Sequence, residues 1–229
     1  MRGHGPLFLS AAVVLLFAGF AGFALAASDR LALAQTGLVL IAIQRMKVGA
    51  PPEDFDAART GRGGPAEWTV VADDSADGGR AIEQTSTDTT DYRFPLAIHR
   101  EISAANVEVT LRFKPVAGKV DQAGGIAVRF SDADNYYVVR ANALEDNVRF
   151  YRVVKGRREQ LAGANLKVAS NTWHTLGLRA EGERFTISYD GQLLYDATDA
   201  TFAQAGKVAL WTKSDSVTRF DQIKITPLP

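Results

Sequence analysis

The sequence predicts an all-β fold, a two-sheet antiparallel β-sandwich, and three observations carry that prediction. Apolar and polar residues alternate in short runs from Trp68 to Thr226, at roughly 8–12 residues per strand and turn. Polar or glycine-ended turns separate the runs, and Asp190-Gly191 between residues 185–189 and 193–196 is the strongest hairpin signal. Beyond residue 26, no segment sustains apolar residues at i, i+3, i+4 and i+7, and at most a helical turn fits residues 200–205.

The N-terminus precedes this pattern. Arg2 and His4 lead into an apolar run that ends Ala24-Leu25-Ala26, the plan of a secretory signal peptide over residues 1–26. Cleavage after Ala26 is expected, with an uncleaved anchor as the alternative and Ala32-Leu33-Ala34 as a second small-x-small site. The mature protein is then exported, periplasmic or extracellular, with no stable membrane span left after cleavage. Residues 27–50 form a leading segment in which LVLIAI, residues 38–43, reads as a short buried strand, and the sandwich domain occupies residues 51–229.

Within that domain, Pro and Gly make residues 49–64 a surface loop. Strands follow at residues 68–72, 81–84 and 92–98, with Pro95 demoting the last to an edge or a bulge. Residues 106–113 alternate cleanly: Val107, Val109, Leu111 and Phe113 face the core, opposite Glu108, Thr110 and Arg112. In residues 125–130, Ile126, Val128 and Phe130 oppose Arg129. In residues 135–142, Tyr137, Val139 and Ala141 make the better core face, leaving Tyr136, Val138, Arg140 and Asn142 on the other. Further strands fall at residues 148–154, 166–169, 173–179, 206–212 and 220–226.

Composition excludes several functions. Lys+Arg and Asp+Glu both total 26, so no basic stripe serves a nucleic acid. The absence of cysteine removes disulfides, thiolate metal sites and thiol nucleophiles. Three histidines, one of them in the leader, suit neither a zinc centre nor a Ser-His-Asp triad.

Gly124-Gly125-Ile126-Ala127-Val128-Arg129, Asp134-Asn135-Tyr136-Tyr137, Trp173-His174-Thr175-Leu176, Tyr189-Asp190-Gly191 and Gly206-Lys207-Val208-Ala209-Leu210-Trp211 recur in order. In these pieces the sequence resembles the concanavalin A-like lectin/glucanase superfamily in its laminin-G-like branch, and exported bacterial proteins with a 3-keto-disaccharide hydrolase domain. The resemblance spans roughly residues 50–228. It implies a jelly roll whose concave sheet binds glycan, with calcium in nearby loops, for which Asp132, Asp134 and Asn135 are the candidate ligands. Turn chemistry accounts for the same three residues.

Laminarinase-type members carry Glu-x-Asp-x-x-Glu on one strand, and that motif is absent here. The leading reading is therefore carbohydrate binding, with Arg129, Tyr136, Arg140, Asn142 and Tyr151 as ligand-binding candidates. Forked guanidinium donors suit hydroxyl or carboxylate groups, and tyrosine rings suit sugar faces. Glu145, Asp146 and Asn147, with Lys213 and Asp215, are candidates to border the same face. The alternatives are a glycoside hydrolase with Glu108 or Glu145 as acid/base, and a protein-binding or adhesion module. Trp173 and Trp211 read as core, and His174 as a structural histidine.

Overall fold

A computed structural model describes Met1, Gly3 and residues 37–229, so the predicted signal peptide lies outside the described residues. Thr36–Pro229 is one compact unit. Its strands are β1 (Val39–Leu40), β2 (Phe55–Gly61), β3 (Trp68–Ala72), β4 (Arg80–Gln84), β5 (Arg93–Ala104), β6 (Val107–Ala117), β7 (Ala123–Asp132) and β8 (Asn135–Asn142). They continue as β9 (Asn147–Val154), β10 (Arg157–Asn165), β11 (His174–Glu181), β12 (Arg184–Tyr189), β13 (Gln192–Thr198), β14 (Gly206–Trp211) and β15 (Val217–Pro227). Short 3₁₀ turns cover Ile43–Arg45 and Asp77–Gly79, and no α-helix occurs among the described residues.

The strands form two antiparallel sheets. One runs β13-β12-β11-β6-β15-β4-β3, with β1 added on β15, and the other runs β10-β9-β8-β7-β14-β5-β2. Alternation fills the space between them. Val109, Leu111 and Phe113 of β6, Leu176 and Leu178 of β11, and Phe220 of β15 meet Tyr137 and Val139 of β8 and Phe150 of β9. The β12–β13 hairpin turns at Asp190 (φ 46°) and Gly191 (φ 77°), the two left-handed residues that a type I′ turn requires.

Six local expectations change. Residues 38–43 give only the two-residue β1, whose Val39 and Leu40 are exposed, while Ile41 and Ile43 point into the core. The predicted loop at 49–64 contains edge strand β2, and the segment 166–169 is not a strand; the edge strand lies just before it, as β10. No helical turn forms over residues 200–205. Trp173 is not core. Its indole lies on the outer face of the eight-stranded sheet, under Arg112 (4.9 Å) and Lys114 (5.0 Å), and donates to Ser75 Oγ.

The last change concerns β7. A bulge between Val128 and Asp132 puts Arg129 at φ 49° and reverses the alternation, so Phe130 leaves the inter-sheet core and Arg129 turns over Tyr137 and Phe185. Opposite the bulge only glycine fits, because a Cβ on Gly206 would stand 2.4 Å from the Arg129 carbonyl carbon.

Candidate functional site

The seven-stranded sheet is apolar on both sides. Its outer face carries a second cluster built from Phe94, Leu96, Ile98, Ala127, Phe130, Tyr136, Val138, Tyr151, Val153, Ala209 and Trp211. The sheet curls enough for its distant strands to touch. Tyr136 Oη of β8 lies 2.8 Å from Thr60 Oγ of β2, although three strands separate them in the sheet order. The Tyr92 hydroxyl, just before β5, accepts from the backbone N–H of Arg158 on β10 at 2.8 Å. One end of the resulting cup is thus filled by the protein itself, and Tyr136, Trp211 and Leu96 have no exposed surface.

The other end is polar. Arg140 of β8 reaches it because its neighbour on β7 is Gly125, where a Cβ would press within 2.5 Å of the Val139 carbonyl oxygen and 3.0 Å of the Arg140 Cβ. The Arg140 guanidinium donates to Asn147 Oδ1, to Glu145 Oε2 (2.7 Å) and to the Tyr151 hydroxyl (3.0 Å). Its Nε has no partner among the described residues. The Arg140 side chain is 4 % exposed and that of Glu145 is 41 % exposed, so a buried cation presents an open carboxylate. Behind them Asp121 accepts from Asn142 Nδ2 (2.6 Å) and pairs with Lys213 Nζ (2.7 Å). Two guanidiniums lie against the Tyr151 ring, Arg140 at 5.7 Å and Arg158 at 4.4 Å from its centre.

The two carboxyl groups respond in opposite senses. Burial pushes Asp121 up, and Lys213 and Asn142 only partly offset it. Burial also acts to raise Glu145, but Arg140, the Asn147 amide and Lys213 outweigh it and hold it below the usual range. Glu145 is therefore a fixed anion at neutral pH, a hydrogen-bond acceptor rather than a proton donor. Asp121 is 1 % exposed, enclosed by its own partners. The arrangement offers acceptors and donors at fixed positions around a tyrosine, which suits a polyhydroxylated ligand.

The candidates named from the sequence separate into groups. Arg140 and Tyr151 stand together with Glu145 and Asn147 at the open end of the cup. Asn142 lies beneath them, wholly buried, holding Asp121 and accepting from the Leu144 backbone N–H at 2.9 Å. Tyr136 belongs to the filled end, where its hydroxyl meets Thr60 and accepts from Trp211 Nε1, and burial pushes its pKa up to about 12. Arg129 does not share this face: its guanidinium donates to the carbonyls of Ala105, Phe202 and Gly182 at an end of the inter-sheet core. Arg112 and Glu108 belong to the other sheet, Arg112 bidentate on Asp221 and Glu108 accepting from Arg179 at 2.9 Å. His174 is buried between Asp190 and the Ala169 carbonyl, and Asp215 accepts from the backbone N–H groups of Lys119, Val120 and Asp121.

The residues proposed for calcium do not fit that ion. Both Asp132 oxygens accept from the Asn135 amide, Asp132 Oδ1 also takes the Asp134 backbone N–H, and Asn135 Oδ1 accepts from the Lys155 backbone N–H. These are turn contacts, whereas calcium takes about 6–8 oxygens. Among the described residues no three of His, Cys, Asp and Glu gather as a metal-ligating group.

Sequence reasoning passed over Asp121 and Arg158. Asp121 stands one turn before an apolar strand and reads as turn chemistry, and Arg158 lies on the edge strand that the pattern does not reveal.

Comparison with known proteins agrees with this architecture. The family model of the galactocerebrosidase C-terminal lectin domain matches residues 98–228. Part of the chain, 73 residues, is 33 % identical to a levanase of Bacillus subtilis (strain 168), and that match spans 11 % of the levanase. Among solved structures, the carbohydrate binding module CBM66 from Bacillus subtilis aligns with a TM-score of 0.57 at 23 % identity, covering 74 % of this chain and 94 % of the module. A Bacillus licheniformis beta-glucanase aligns with a TM-score of 0.55 at 13 % identity, covering 84 % of this chain and 99 % of the glucanase. At these identities the two structures speak for the fold, a lectin- and glucanase-like jelly roll. The family match covers more than half of the sequence, both sheets included, and the chain belongs to the galactocerebrosidase C-terminal lectin domain family.

Proposed function

We propose that this domain binds carbohydrate at the polar end of the cup, with Arg140, Glu145, Asn147 and Tyr151 as its contact residues. The observation that carries the reading is the buried Arg140 guanidinium, which fixes an amide, a carboxylate and a phenol around one opening while keeping an unpartnered Nε. Membership in a lectin family supports it, as do the likenesses to a carbohydrate binding module and to part of a levanase. The same reading puts the domain outside the cytoplasm, supported by the apolar leader over residues 1–26; no helix among the described residues is long and apolar enough to cross a membrane. N-terminal sequencing of the exported protein tests that placement.

The test of binding is a glycan panel that includes levan. Wild-type protein retains at least one glycan, and Arg140→Ala loses it while its thermal melt stays cooperative. Failure of the folded wild type to retain any glycan, together with capture of a defined protein ligand, refutes the proposal.

A further inference from the structure

Besides Arg140, the concave face of the seven-stranded sheet carries two more arginines. Residues paired directly across antiparallel strands share a face, so Arg149 of β9, opposite Arg140 of β8, points the same way, and Arg158 of β10 follows Val153 of β9 onto it. Arg149 lies across β10 at Gly163, where a Cβ would stand 2.4 Å from its Cδ, and its Nη2 donates to Asn165 Oδ1. The Arg158 guanidinium lies over the rings of Phe94 (4.7 Å), Tyr151 (4.4 Å) and Trp211 (5.7 Å). Its Nη1 is sealed off, its Nε and Nη2 are open, and none of the three has an acceptor among the described residues.

Both arginines are half-buried, and among the described residues neither pairs with a carboxylate. Glu145 answers Arg140 and Asp121 answers Lys213, so two positive charges stay uncompensated on this face of a chain whose formal net charge is zero. Like charges directly opposite on neighbouring strands are destabilising, and Arg140 with Arg149 is such a pair. An anion bound there relieves it.

We propose, resting on the reading of the cup as a carbohydrate site, that its glycan is acidic: Arg149 and Arg158 take carboxylate or sulfate groups, while Arg140, Glu145 and Asn147 take neutral hydroxyls. The forked donors of a guanidinium suit either oxyanion, and stacking on Tyr151 holds Arg158 in place without consuming a donor. Glu145, a fixed anion, turns the acidic substituent away from its own end and so sets the direction of the ligand.

Matched probes isolate the charge: polygalacturonate against its methyl ester, and dextran sulfate against dextran, each titrated calorimetrically into the full chain. The wild type binds the acidic member of at least one pair severalfold more tightly than the neutral member, and the pair that shows it tells carboxylate from sulfate. Arg149→Gln and Arg158→Gln, checked for a cooperative melt, each weaken that acidic probe roughly tenfold, the loss of one charge-assisted hydrogen bond, and leave retention of neutral glycans unchanged. Arg157→Gln removes the same charge from the neighbouring exposed position, whose partner Val154 faces away from the cup, and changes little. Equal binding of the acidic and neutral members in both pairs, or equal weakening by Arg157→Gln, overturns the proposal. If neutral glycans are retained and neither acidic probe is preferred, this inference falls and the cup stands; if the folded wild type binds no glycan, neutral or acidic, both fall.

Discussion

Replacing Arg129 with methionine separates a structural arginine from a binding one. The guanidinium donates to Ala105 O at 2.7 Å, Phe202 O at 2.6 Å and Gly182 O at 2.5 Å, tying the β5–β6 turn, the segment before β14 and the β11–β12 turn to one point. Hydrogen bonds from a charged donor are worth about 1.5–3 kcal/mol each. The three carbonyls lie near loops and regain some water once the donor is gone, so the low end applies, for a total of about 4–5 kcal/mol. Methionine keeps the apolar stem against Phe185, which limits the packing loss. For a domain of this size each kcal/mol moves Tm by about 2–4 °C, which gives a fall of roughly 8–20 °C. Differential scanning calorimetry measures it, and glycan retention assayed well below the lowered Tm should equal wild type. A Tm within about 2 °C of wild type, or lost retention in protein that is still folded, refutes the assignment.

Other expected outcomes follow from the same contacts. Tyr136→Phe strips Trp211 Nε1 of its acceptor and leaves Thr60 Oγ only the Ala133 carbonyl, costs about 1–3 kcal/mol in urea unfolding and leaves glycan retention unchanged. Glu108→Gln alters neither retention nor any sugar release, because Glu108 lies on the other sheet with Arg179, whereas Glu145→Gln weakens retention severalfold. Acid destabilises the fold: Asp88, lowered from 3.8 to about 2 by the Thr90 hydroxyl and the Gly64 and Thr90 backbone N–H groups, contributes stability present above pH 4 and lost as pH falls toward 2. Asp199 and Asp215 are also lowered, their hydrogen bonds outweighing burial, and act in the same direction. Asp121, raised by burial, acts in the opposite one, favouring the fold at low pH and losing that contribution as pH rises through its raised value. Tm measured from pH 7 to pH 2.5 should fall, and Asp88→Asn should flatten the drop below pH 4.

The central strands were legible because each buries one face against a neighbour and shows it as alternation. Tyr137, Val139 and Ala141 face the core as their parity predicts. The edge strands were not legible. β2 reads FDAARTG and β10 reads RREQLAGAN, sequences with weak strand propensity and mostly exposed or half-buried side chains, ordered by pairing with β5 and β9 rather than by burial of their own. The site was legible in part. Arg140 and Tyr151 share the polar end of the cup, as their parities predict, since strict alternation holds along β8 and β9. Arg129 does not, because a single left-handed residue reverses the parity of β7 and no composition signal announces a bulge at an arginine. Tyr136 has the expected parity but the wrong environment: a sequence gives the side of a strand and not how far the sheet curls over it.

That curl has its own consequence for selectivity. The radius of the cup is set by contacts between strands that are not neighbours, Thr60 to Tyr136 and Tyr92 to Arg158, at its filled end. These residues act as struts. On the proposed reading, changing Thr60 or Tyr92 alters which glycans are retained while leaving Arg140 and Tyr151 untouched.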